Sequence, residues 1–193
     1  MKLTKRGEYA LRTLIRLGIA QKLGLDVVSV STLADSERLP FKFLEQILFE
    51  LRHAGYVESK RGKQGGCRLL KAQEDIKIGE VVRLIDGRLA PIGCASETDY
   101  EKCTCPDEEH CGLRMLMIDV RNAIAQILDR YTLADVVAVT MRKMERNGIV
   151  MPFKQLREVQ TMPVAARKQA LRDALRHADP ADGFLASLTS RLQ

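Results

Sequence analysis

Residues 30–71 read VSTLADSERLPFKFLEQILFELRHAGYVESKRGKQGGCRLLK, and their punctuation decides the fold. Val30–Glu37 is a short helical run with Ser29 placed to cap it and Val30, Leu33 and Ala34 on one face. Only Arg38, Leu39 and Pro40 separate it from the next helix, and Pro40 suits a helix start because its missing N–H has no intrahelical partner there. Residues 41–54 then bury Phe43, Leu44, Ile47, Leu48 and Leu51 at helical spacing and stop at Gly55. Residues 56–61 read as a strand, 62–66 as a glycine-rich turn and 67–70 as a return strand. Two helices across a tight turn are a weak signal alone. With a basic hairpin behind them they predict a winged helix-turn-helix.

Upstream, residues 7–20 carry Ala10, Leu11, Leu14, Ile15, Leu17 and Ile19 on a helical stripe interrupted by Arg12 and Arg16. Downstream, Ile78–Asp86 reads as a helix stopped by Gly87, and residues 88–110 as a loop. Leu113, Met117, Val120, Ile124, Ile127 and Tyr131 then recur at spacings 4, 3, 4, 3, 4, a heptad seam flanked by Leu116, Ala123 and Leu128. A seam beside a DNA-reading unit points to a homodimer, because two-fold proteins match palindromic sites. Leu133–Arg146 forms a further helix. The expected class is mainly α with a small β-hairpin wing: a winged helix-turn-helix plus a long dimerisation helix. The expected domains are 1–75 for DNA binding, 76–147 for the cysteine-bearing loop and dimerisation helices, and 150–193 as a helical extension, with helices at about 164–177 and 181–192 and no assigned role.

Composition narrows the function. With 46% hydrophobic and 29% charged residues, the 193-residue chain is neither disordered nor membrane-spanning. Its first residues carry no apolar export segment, so a cytoplasmic location is expected. The net charge is +6, unevenly spread. Residues 1–71 hold 14 Lys+Arg against 7 Asp+Glu, a net +7, whereas 94–111 hold six acids against Lys102, a net −5. A basic front suits a polyanion. Lys42, Glu45, Gln46 and Phe49 lie on the exposed face of helix 41–54, where Gln and Glu suit adenine and cytosine edges. Arg61 at the hairpin base suits a minor groove. No nucleotide-binding glycine loop, Ser/His/Asp set or paired carboxylates stand out, so no enzyme is expected.

Four of the five cysteines, Cys94, Cys103, Cys105 and Cys111, fall within 18 residues, and His110 precedes the last. In a chain without an export signal such a cluster points to a metal or redox centre. Zinc sites usually bring Cys-x-x-Cys pairs, absent here, while iron–sulfur clusters tolerate looser spacing. Acidic neighbours disfavour a reactive thiolate. An iron–sulfur cluster, structural zinc and a cysteine-oxidation switch all remain open on this chemistry. Cys67, on the return strand, reads as a buried, inert thiol.

The start Met-Lys-Leu-Thr with Tyr9-Ala-Leu-Arg12, the run Phe43-Leu-Glu-Gln-Ile-Leu48, then Leu51-Arg-x-Ala-Gly55 and Arg61-Gly-x-x-Gly-Gly66 resemble the bacterial winged-helix iron–sulfur transcription regulators of the IscR, NsrR and RirA type. The loop cysteines before a long helix, and Thr132 to Val136 after it, resemble them too, over roughly residues 1–147. The resemblance implies a homodimer on an inverted-repeat operator, with affinity set by a 2Fe–2S or 4Fe–4S cluster. It places Lys42, Glu45, Gln46 and Arg61 at DNA-contacting positions and Cys94, Cys105 and Cys111 as ligands, Cys94 reaching across an enlarged loop. Cys103 is a candidate to replace or supplement Cys105. Where some relatives place a histidine ligand this chain has Arg114, and Glu8 stands where others place an acidic one, so Glu8 of the partner subunit is expected to complete the site, with His110 ranked below it. An aromatic residue expected after Gly66 is replaced by Cys67.

Overall fold

The computed structural model describes residues 3–62 and 65–153. The described residues up to Pro152 belong to one compact unit, which ends there. The helices expected at about 164–177 and 181–192 lie outside the described residues. Among the described residues no helix is long and apolar enough to cross a membrane.

Helix α1 (Lys5–Lys22) starts where the Thr4 side chain accepts a hydrogen bond from the Gly7 amide at 3.1 Å. It buries Ala10, Leu14, Leu17 and Ile19, and it packs against elements from both halves of the unit: α2 (Val30–Glu37) and α3 (Phe41–His53), and also α4 (Ile78–Asp86) and α6 (Leu133–Arg146). The division expected near residue 75 is thus bridged by one shared helix. Arg12 and Arg16, which interrupt its apolar stripe, meet Glu37 at the end of α2. Arg12 Nε donates to Glu37 Oε2 at 2.7 Å and its Nη2 to the Glu37 carbonyl at 2.6 Å, while Arg16 Nε takes the other carboxylate oxygen. Glu37 is 7% exposed, so its charge is held by these two guanidinium groups rather than by water. Both arginines can rehydrate if it is lost. Glu37→Ala is therefore expected to cost about 2 kcal/mol, below the full penalty for orphaning a buried charge. Urea unfolding measures it, and a loss under about 0.5 kcal/mol would mean the pair holds nothing.

The predicted hairpin is present. Strand β1 (Val57–Lys60) pairs antiparallel with β2 (Gly66–Leu69), Val57 opposite Leu69 and Lys60 opposite Gly66. The other edge of β2 is covered by Val28, which exchanges two backbone hydrogen bonds with Cys67, at 3.0 and 2.8 Å. Gly66 is required at this crossing, because a Cβ there would lie 2.2 Å from the Val28 carbonyl oxygen. Cys67 is buried, and burial pushes its thiol up from the ordinary value.

Beyond the wing, Ile78, Val82 and Leu89 form a cluster joined by Leu11 and by Ile124, Ala125 and Leu128 of α5 (Gly112–Arg130). Arg83 binds Asp129 through two hydrogen bonds of 2.7 Å, fixing α5 to α4. Thr132 and Asp135 close a reciprocal cap at the start of α6. None of the 19 residues of α5 is buried. The expected seam is divided by this packing. Ile124 turns onto its own protomer's core, whereas Leu113, Leu116 and Ile127 are exposed, Leu116 at 56% and Ile127 at 59%. The outward apolar line therefore runs through Leu113, Leu116, Val120, Ala123 and Ile127, at spacings 3, 4, 3, 4.

Candidate nucleic-acid interface and cysteine loop

Helix α3 buries Leu44, Ile47, Leu48 and Leu51. That face fixes its rotation and leaves Lys42, Glu45, Gln46 and Phe49 exposed on the other. These four, with Arg6, Glu50 and Arg52, line a shallow open depression. Arg6 is paired with Glu50 across it. Lys42 and Glu45 form no ion pair among the described residues, so their charges stay available to a partner. Arg61 follows β1 directly and is exposed, next to Gly62, whose φ of 111° favours glycine. Among the described residues of the hairpin, the other cations are paired. Arg68 pairs with Glu58 at 2.5 Å and Asp26 at 2.8 Å, and Lys60 with Asp26 at 3.3 Å. Hydrogen bonding with Arg68, then Lys60, holds Asp26 below the usual carboxylate range. Among the described hairpin cations, Arg61 at the base is the one without an ion pair.

The second site is the loop before α5. Cys94 lies in a 3₁₀ turn, Gly93–Ala95, and is 5% exposed, while Cys103 and Cys111 are half-buried and Cys105 is exposed. All four thiols are free. Cys103 is near enough to Cys94 and Cys105, and Cys111 to Cys105, to influence their thiols. Burial and then Cys103 push the Cys94 thiol up, and Cys103 and Cys111 push Cys105 up to about 11. A raised thiol has a proton to lose before it can bind a metal, so Cys94 and Cys105 favour the protonated form until a metal competes for them. Among the described residues, no three His, Cys, Asp or Glu side chains already converge at metal-ligand spacing. Free neighbouring thiols suit a soft centre chemically, and their side chains would have to turn toward a common point to hold it.

Two arginines missing from the sequence reading as loop anchors organise this segment. From α5, Arg114 Nε donates to the Cys94 carbonyl at 3.0 Å and lies 3.3 Å from Glu108, while Arg121 Nη1 donates to the Ala95 carbonyl at 2.9 Å. The Tyr100 hydroxyl adds a 2.8 Å hydrogen bond to Glu108. The signal was present: Arg114 sits in the first turn of α5, where the helix dipole disfavours a cation, so something else must hold it. His110 is exposed and paired with Asp107 at 2.9 Å. Glu8 faces Lys5 at 2.8 Å and Arg12 at 3.4 Å, and hydrogen bonding to Lys5 holds its carboxyl below the usual range.

Comparison with known proteins adds the lineage. The Rrf2 family, described as an iron-dependent transcriptional regulator, matches residues 3–139. The transcriptional regulator NsrR of Bacillus licheniformis is 38% identical over 137 residues, 71% of this chain and 92% of the relative. Among solved structures, the global cysteine regulator CymR of B. subtilis aligns with a TM-score of 0.58 at 30% identity, over 72% of this chain and 98% of that one. IscR of T. potens aligns with a TM-score of 0.56 at 27% identity, over 72% and 88% of the two chains. These relatives are regulators and not enzymes, and they share the winged helix. The chain belongs to the Rrf2 family of transcription regulators.

Proposed function

We propose that the protein is a homodimeric, cytoplasmic regulator that binds an inverted-repeat operator and whose affinity for it is set by an iron–sulfur cluster. Cys94, Cys105 and Cys111 would hold the cluster, with Glu8 of the partner subunit completing it and Cys103 or His110 as alternatives. The observation that carries this reading is the set of four free thiols on one loop that Arg114 and Arg121 anchor to a helix with no buried residue. Membership of a family described as iron-dependent supports it. When bound, such a cluster supplies a redox-active and labile inorganic centre. The chain's own polar ties offer a route from that loop to the reading helices. Arg83 and Asp129 join α5 to α4, Asp86 at the end of α4 accepts from the Thr4 amide at 2.9 Å, and Glu37 ties α1 to α2. A change in the loop alters operator affinity only if these ties differ between two states.

The second reading keeps the winged helix and replaces the cluster with structural zinc or cysteine oxidation. Likeness to CymR of Staphylococcus aureus, solved in an oxidised form, favours the oxidation branch. The raised thiol of Cys105 counts against rapid oxidation, since the thiolate is the reactive form. Absorbance of anaerobically purified protein, with iron and sulfide analysis, separates them: an iron–sulfur protein absorbs in the visible, and a zinc protein is colourless.

The dimer is expected on the outward line of α5. Leu116→Asp with Ile127→Asp places two carboxylates per protomer on exposed positions, so the fold survives while association weakens by about 100-fold or more. Sedimentation should show folded monomers. Ile124→Asp should instead unfold the protomer, because that side chain packs on Ile78, Val82 and Leu89. A folded dimer of the Leu116/Ile127 double variant would place the interface elsewhere.

A further inference from the structure

Phe49 is 62% exposed in the middle of α3, on the stripe that carries Lys42, Glu45 and Gln46. Single exposed apolar residues are ordinary on protein surfaces. This one has aromatic and cationic neighbours. Its ring stacks on His53, with centroids 6.2 Å apart and planes 12° from parallel, and the Arg52 guanidinium lies 5.9 Å from the ring centroid. The result is an apolar plate in the wall of the depression, beside Arg6, Lys42 and Arg52.

The rise of an α-helix sets Phe49 about 4.5 Å beyond Gln46 along the axis. Base pairs are spaced by about 3.4 Å, so a helix lying along a major groove brings Phe49 level with the pair next to the one that Gln46 reaches. Among the groups that base edges display there, the thymine C5-methyl is the apolar one. Contacts with Arg52 and His53 narrow the rotamers open to the ring, which lowers the cost of ordering it there. The surrounding cations suit the flanking phosphates.

We propose that Phe49 is a specificity-determining residue that reads the C5-methyl group of a thymine in the major groove, one base pair beyond the pair read by Gln46. This rests on the reading of α3 as the DNA-reading helix. Phe49 is exposed and contributes nothing to the core, so Phe49→Ala should fold normally. The full-length protein is first used to select its site from random duplexes, loaded and cluster-free. Each thymine of that site is then replaced singly by deoxyuridine, which removes only the methyl group. One thymine in each half-site should lose about threefold to fivefold in affinity for the unaltered protein, the worth of one buried methyl. Phe49→Ala should bind the thymine and deoxyuridine duplexes equally, and its own selection should lose the thymine at that position alone. The contact is refuted if no replacement separates the two proteins. It is also refuted if Phe49→Ala keeps the full preference while losing self-association, which would make the ring a protein contact. Failure of the unaltered protein to select any site refutes the reading of α3 itself, and shows without the variant.

Discussion

Cys94→Ala, Cys105→Ala and Cys111→Ala, each purified without oxygen, are expected to lose all visible absorbance. Each removes a thiolate from a set of three, and a cluster with a vacant iron site is lost to solvent or chelator. The fold should survive in each case: Cys105 is exposed, Cys111 half-buried, and the buried Cys94 turn is held mainly through the carbonyls of residues 94 and 95. Comparison of Cys103→Ala with Cys105→Ala decides which middle thiol serves, because Cys103 is near enough to both Cys94 and Cys105 to influence their thiols. Glu8→Ala should leave the cluster labile. If it has no effect while His110→Ala does, the fourth ligand is His110. An unchanged spectrum in all three cysteine variants removes the ligand assignment.

Loss of Arg61 and loss of Gln46 should weaken DNA binding in different ways. Gln46→Ala is expected to cost about 1–3 kcal/mol on the best operator and to relax preference at one position in each half-site, as the loss of a base-edge contact does. Arg61→Ala should weaken binding and lower its salt dependence, because fewer counterions are released. Half-sites should lie about one helical turn apart or slightly more. Equal salt slopes for Arg61→Ala and the unaltered protein would remove the minor-groove role from Arg61.

The reading head was legible because its signals are local. Ser29, Pro40, Gly55 and Gly66 each act within a few residues, and the elements they delimit fall within a residue or two of expectation. Val28 was not, since a single residue bridging to Cys67 leaves no periodic trace. Arg12 and Arg16 marked an interruption in α1, but their partner Glu37 lies 21 to 25 residues away and only packing brings it there. On α5, two apolar lines one position apart both satisfy heptad spacing. The Ile78, Val82 and Leu89 cluster chooses between them by capturing Ile124. In the loop, the cysteines were legible as a donor set. The loop's path was not, because Arg114, Arg121 and Tyr100 set it from distant positions.

If cluster occupancy sets operator affinity, two forms of one preparation should bind DNA differently. Anaerobic protein, with iron and sulfide quantified, is divided, and the cluster is removed from one half by chelation. Both halves are titrated with the selected inverted repeat at one salt concentration. The two affinities should differ by about tenfold or more, a coupling of at least about 1.4 kcal/mol between cluster and operator. Equal affinities for the loaded and cluster-free dimers would contradict it.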